Sequence, residues 1–261
     1  MMNFIPPHRE TGSGPVVVFA HGTLMDHTMF DPQLAGLPDS YRKIAYNHRS
    51  RTELGQQPFT LDQLADDCVA LLDALGIEKC VLAGMSMGGF MALNFALRYP
   101  QRLAGVVFIA AFPGAYAEEL QTQFRAEFGK LDIDGTIPQA WAEWAAPLCF
   151  GTTTREKNKK LVSHWVDRWI TLPARGAYHE GYSWIGKPNL LERCSEINIP
   201  ALVLHGEEDN VVPLSWTTPI MDYLPHGRLE VIPQAGHTVN CENVVSSNRA
   251  LARFLAEVYC S

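Results

Sequence analysis

The residues best suited to chemistry lie in Gly84-Met85-Ser86-Met87-Gly88. An apolar run, Lys79-Cys80-Val81-Leu82-Ala83, precedes them, and Gly89-Phe90-Met91-Ala92-Leu93 continues with helix-like spacing. A serine with glycines two residues to either side, between a strand and a helix, is a nucleophile elbow. The tight turn forces the serine into a strained backbone region, and the small flanks let the chain pass close to its neighbours. The helix starting there points its N-terminal amides at any negative charge forming beside Ser86.

Such chemistry needs a base, an acid and donors for an oxyanion. Pro233-Gln234-Ala235-Gly236-His237 follows the last apolar run, so His237 leaves a strand end on a loop and is free to reach across to Ser86. His205-Gly206-Glu207-Glu208-Asp209 follows an earlier run and offers Asp209 as the acid, with Glu207 and Glu208 read as solvated loop charges. His205 reads as a strand-end residue, His21 as a loop brace, and His8, His164 and His226 as surface. Phe19-Ala20-His21-Gly22-Thr23-Leu24 ends the earliest strong strand, and its glycine permits a turn aiming the Thr23 amide at the same spot as the Met87 amide. Two such donors form an oxyanion hole.

The elements expected to position these groups alternate along the chain. Strand patterns cover 16–20, 42–46, 80–83, 105–110, 201–205 and 228–232, and helix patterns cover 61–75, 88–98, 215–223 and 244–259. That alternation predicts an α/β fold with a mostly parallel, doubly wound sheet. Residues 113–193 break it: they hold five of the six tryptophans, a basic patch at 155–160, and helical periods without strand-like ones. A connection of about 80 residues is far longer than usual. It predicts a helical cap, or lid, inserted into a core formed by 1–112 and 194–261, with two ordinary surface helices of the main domain as the plainer alternative.

Composition narrows the function classes. The 261 residues are 47% hydrophobic and 19% charged, as in an ordinary globular domain. A net charge of −7 without a basic run argues against nucleic acid. The N-terminal stretch lacks the basic and apolar regions of an export signal, and no apolar run is long enough to span a membrane, so a cytoplasmic protein without a membrane partner is expected. Six scattered cysteines show neither a C-x-x-C pair nor zinc-like spacing and are expected to be reduced thiols.

The chain resembles the α/β-hydrolase superfamily, in particular the small capped hydrolases that include 3-oxoadipate enol-lactonases, carboxylesterases and cofactor-free haloperoxidases. The resemblance rests on His21-Gly22-Thr23-Leu24-Met25-Asp26-His27-Thr28-Met29-Phe30, Leu64-Ala65-Asp66-Asp67 leading to Leu72-Asp73-Ala74-Leu75-Gly76-Ile77, Tyr99-Pro100-Gln101-Arg102-Leu103, and Ala235-Gly236-His237 followed by Glu242. The order Ser86, Asp209, His237 is the order of that superfamily's triad. Two departures stand out. The usual Asp-x-Arg-Gly-x-Gly-x-Ser turn reads Asn47-His48-Arg49-Ser50-Arg51-Thr52-Glu53, so His48 or Arg51 could face the site, with bracing by Arg49 as the plainer reading. The N-terminal hairpin is shortened, and the sheet is expected to lack its first strand.

The expected chemistry is acyl transfer by a serine hydrolase acting on a small ester or lactone, with no metal or organic cofactor. A serine at the elbow argues against the dehalogenase and epoxide-hydrolase branches, which place an aspartate there. Leu24, Phe30, Trp144 and Trp184 are expected to touch substrate. Of the aromatic residues in or near the cap (Phe30, Phe112, Trp141, Trp144, Trp165, Trp169, Tyr182, Trp184), at least half are expected to be cap core. His179 and Arg175 could orient a polar group. Three other readings use the same residues: a carbon–carbon bond hydrolase acting on a diketone, a perhydrolase, and a ligand receptor that keeps the fold. The perhydrolase group often carries a proline soon after the oxyanion-loop glycine, where this chain has Thr23-Leu24. Oligomeric state is left open, a homodimer among the options.

Overall fold

The computed structural model describes residues 4–260. Residues 1–3, with which the export-signal reading begins, and residue 261, the expected end of the core, lie outside that range. Seven strands form one sheet: β1 (His8–Thr11), β2 (Val16–Ala20), β3 (Arg42–Tyr46), β4 (Cys80–Met85), β5 (Leu103–Ile109), β6 (Ala201–Gly206) and β7 (Gly227–Ile232). Their order is β1-β3-β2-β4-β5-β6-β7, all parallel except β1. β4 and β6 are buried at every residue, as the central strands of a two-sided sheet must be. β1 is the strand that the sequence pattern hides. His-Arg-Glu-Thr is mostly exposed and lacks apolar alternation, and it is held antiparallel against β3 at the sheet edge.

The helices are α1 (Asp31–Gly36), α2 (Leu61–Ala74), α3 (Met87–Arg98), α4 (Glu118–Gly129), α5 (Gln139–Cys149), α6 (Thr152–Lys157), α7 (Lys159–Trp169), α8 (Ala174–Trp184), α9 (Leu214–Thr217), α10 (Val239–Glu242) and α11 (Val244–Tyr259). α2 begins with a reciprocal capping box between Thr60 and Gln63 and buries the stripe Leu61, Leu64, Ala65, Cys68, Leu71, Leu72. It packs with α3, and α11 packs with α1. The helix expected over 215–223 is divided. α9 stops at Thr217, and a 3-10 turn continues through Asp222, because Pro219 has no amide to extend an α-helix. α4 to α8 all fall between β5 and β6. Among the described residues, no helix is long and apolar enough to cross a membrane.

Strand order sets where a ligand can sit. From β2 the chain steps outward to β3, then returns past β2 to β4, so the direction of winding reverses between β2 and β4. Crevices at the carboxyl ends of strands form at such a reversal. The loop after β2 carries Thr23 and the turn after β4 carries Ser86, side by side at that crevice.

Candidate active site

Ser86 joins β4 to α3 with φ +50°, a left-handed conformation rare for a non-glycine residue. The turn is held by the Ser86 amide donating to Ile109 O (2.8 Å) and by Phe90 N–H donating to Ser86 O (2.8 Å). Both flanking glycines are sterically required. A Cβ on Gly84 would collide with the Gly88 carbonyl, and one on Gly88 with the carbonyls of Ala20 and His21. β2 therefore runs close enough to the elbow for the two loops to share one site.

His237 Nε2 lies 2.9 Å from Ser86 Oγ, and His237 Nδ1 lies 2.8 Å from Asp209 Oδ2. All three residues are buried. Asp209 Oδ1 accepts the amides of Val211 and Val212, each at 2.9 Å, so the carboxylate is fixed by its own loop. With Nδ1–H donated to Asp209, the imidazole presents an unprotonated Nε2 to the serine hydroxyl. His205, the second histidine near Asp209, donates Nε2–H to Val212 O at 2.8 Å, and burial lowers its pKa against the opposing pull of Asp209. Glu242 ties down the histidine loop: one oxygen accepts the Thr238 hydroxyl at 2.9 Å and the other the Gly151 amide at 2.8 Å. Glu208 lies away from the imidazole and accepts the Thr153 amide at 2.8 Å. Glu207 is exposed, 3.4 Å from the Gln234 amide.

The amides of Thr23 and Met87 donate to no protein carbonyl among the described residues. Met87 is the first residue of α3, whose leading amides have no partner within the helix. Ser86, Thr23 and His237 open into a cleft of about 630 Å³, its mouth included. Aromatic side chains dominate its wall: Trp184 lies 5.2–6.3 Å, ring centre to ring centre, from Phe90, Tyr116, Phe124 and Phe128. Among the described residues, no Lys, Arg, Asp or Glu lines the cleft. Cys149 does, but burial pushes its thiol up to about 12, far from a reactive thiolate at neutral pH.

The expected substrate contacts divide. Leu24, Trp144 and Trp184 line the cleft, Trp144 at 40% exposure. Phe30 does not: it is fully buried and stacks on Phe19 of β2, with ring centres 4.9 Å apart, because its 3-10 turn packs down onto the sheet. Phe112, Trp165, Trp169 and Tyr182 are also absent from the lining. Arg175 pairs with Asp132 and Asp134, His179 packs edge-on against Tyr178, and neither lines the cleft. His48 is buried away from it as well. Its amide donates to His21 Nε2 (3.0 Å), its Nε2 lies 3.1 Å from His21 O, and burial pushes its pKa down to about 3. His21 in turn donates Nδ1–H to Gly22 O at 2.8 Å, bracing the loop that carries Thr23.

Sequence reasoning singled out Trp144 and named Trp141 among the cap aromatics, but passed over Phe124, Phe128, Ala145 and Leu148 in the same wall. Trp141, Trp144, Ala145 and Leu148 form one stripe of α5, and Phe124 and Phe128 one stripe of α4. The helical spacing was the available signal, yet a stripe facing a cleft and a stripe facing a core look alike in sequence. Glu180 is fully buried and contacts the Leu24 amide, Ser50 and Arg51. Burial raises its carboxyl pKa and those partners oppose the rise.

Comparison with known proteins identifies the fold family. A family model described as the α/β hydrolase fold matches residues 15–244. The chain is 27% identical to 3-oxoadipate enol-lactonase 1 of Acinetobacter baylyi, over 88% of this chain and 84% of that one. It is 25% identical to a non-heme haloperoxidase of Rhodococcus erythropolis, over 95% and 94%. The solved structure of a thermophilic esterase from Thermogutta terrifontis superposes with a TM-score of 0.90 at 27% identity, covering 97% of this chain and 93% of that one.

Proposed function

The chain belongs to the α/β-hydrolase fold family, and on that footing we propose that it is a serine hydrolase cleaving small, uncharged, largely apolar esters or lactones. The observation that carries the reading is the hydrogen-bonded line Ser86–His237–Asp209, ending in an aromatic cleft. His237 takes the Ser86 proton as Oγ attacks the carbonyl carbon, and the amides of Thr23 and Met87 receive the oxyanion. Collapse of the tetrahedral intermediate expels the alcohol, which His237 protonates. His237 then activates water to release the acid from Ser86. Asp209 holds the tautomer and stabilises the imidazolium throughout.

The apolar wall supports the substrate class. A substrate carboxylate would lose its hydration there without meeting a cation. Residues 113–193, with α4 to α8, supply half of the lining residues, including most of its aromatic rings, and act as a lid that sets specificity.

The test is a panel of aryl and alkyl esters, lactones and diketones, ranked by kcat/KM for the wild type and Ser86→Ala. The reading expects Ser86-dependent turnover highest on neutral esters or lactones. Preference for a diketone would move it to carbon–carbon cleavage, and ligand binding without Ser86-dependent turnover would move it to a receptor.

A further inference from the structure

The loop Gly22–Met25 carries the Thr23 amide and is gripped from outside the sheet. Leu24 has φ +66°, a left-handed conformation that a leucine adopts only when its surroundings impose it. Its amide donates to Glu180 Oε2 at 2.9 Å, and the next carbonyl, Met25 O, accepts Arg51 Nε–H at 2.8 Å. Arg51 Nη2 and Glu180 Oε1 are 3.0 Å apart, with side chains 4% and 0% exposed. The Ser50 hydroxyl donates to Glu180 Oε1 at 2.7 Å. One helical turn on, Trp184 Nε1–H donates to Thr23 Oγ1 at 2.9 Å. Glu180 and Trp184 both belong to α8, whereas Ser50 and Arg51 belong to the turn after β3 that lacks the usual glycines.

We propose that Glu180 and Arg51 form a buried clamp that positions the Thr23 amide for the oxyanion, and so couples the placement of α8 to the chemical step. This rests on the reading of Thr23 as an oxyanion donor. A buried ion pair is a poor source of stability, since desolvation offsets most of the attraction. Its distinctive contribution is directional: one carboxylate and one guanidinium hold a backbone donor and a backbone acceptor of adjacent residues at fixed angles. Oxyanion stabilisation depends on such preorganisation, because donors that must reorient during the reaction lose much of their effect. Both residues are positioning residues. Neither lines the cleft.

The test uses Glu180→Ala, Glu180→Gln, Arg51→Met and Arg51→Lys in the full chain, read in three ways. Amide hydrogen exchange of the ligand-free protein should be faster across residues 20–30 in Glu180→Ala and unchanged in β6 and β7. Turnover of p-nitrophenyl butyrate should fall roughly 10- to 100-fold in kcat with KM within about 3-fold, a loss approaching that of a deleted oxyanion donor. Affinity for an aryl trifluoromethyl ketone, whose adduct is an oxyanion, should fall in parallel with kcat/KM, while affinity for the matching methyl ketone holds. Arg51→Lys should recover part of what Arg51→Met loses. Should Glu180→Ala fail to fold, Glu180→Gln carries the same readouts. A folded variant with wild-type loop exchange overturns the clamp; faster loop exchange with wild-type kcat and trifluoromethyl ketone affinity overturns its service to the oxyanion. The exchange arm needs no turnover, so it reads the clamp even if Ser86→Ala were to refute the proposed reaction.

Discussion

Asp209 meets His237 with one carboxylate oxygen and its own backbone loop with the other. Oδ2 lies 2.8 Å from Nδ1, while Oδ1 accepts the amides of Val211 and Val212 at 2.9 Å each. An asparagine there could keep the backbone bonds, but its amide nitrogen facing Nδ1 would favour the wrong imidazole tautomer. Asp209→Asn is therefore expected to lower kcat by up to about 10,000-fold at neutral pH, with unfolding little changed. Glu207→Gln and Glu208→Gln should stay within a few-fold of wild type. Steady-state kinetics on one ester decide the matter, and a glutamate variant as damaged as Asp209→Asn would reassign the acid.

Substrate charge should be strongly discriminated. With no Lys, Arg, Asp or Glu in the cleft wall among the described residues, a carboxylate on the acyl group finds no partner. Several kcal/mol of unpaired burial corresponds to a loss of about 100-fold or more. Comparing kcat/KM for phenyl butyrate and phenyl hemisuccinate measures it directly. Equal values would mean that the acyl chain does not lie against the aromatic wall.

Lys187 gives stability a pH dependence with a definite sign. Its ammonium sits over the Phe112 ring at 3.8 Å and donates to the carbonyls of Phe112 and Gly114, without a carboxylate partner among the described residues. Burial pushes its pKa down to about 7 from the ordinary 10.5. Between those values the unfolded chain binds more protons than the folded one, so stability rises with pH through the window and falls as pH is lowered through it. The unfolding free energy of wild type minus that of Lys187→Met should therefore move in favour of wild type from pH 7 towards 10, by at most about 1.4 kcal/mol per unit. Urea unfolding at several pH values checks this, and a flat difference would show that the ammonium is not desolvated.

What could be read from sequence was whatever local rules govern. The Gly84–Gly88 turn needs small flanks around a strained serine, and Asp209 and His237 sit on loops directly after apolar strands. Each could thus be located without knowing the packing. β1 was hidden because an exposed edge strand needs no alternation. Phe30 reads the same in sequence whether it faces the sheet or the cleft. Glu180 and Arg51 stand 129 residues apart, and no periodicity links them. Their pairing exists only once α8 is laid over the loop after β2.

The most direct measurement is the hydrolysis of p-nitrophenyl butyrate by wild type and Ser86→Ala, with circular dichroism to verify the fold. The account predicts turnover by the wild type and a loss of about 10,000-fold or more in the variant, because the attacking oxygen is gone. Turnover by a folded Ser86→Ala close to that of the wild type would contradict it.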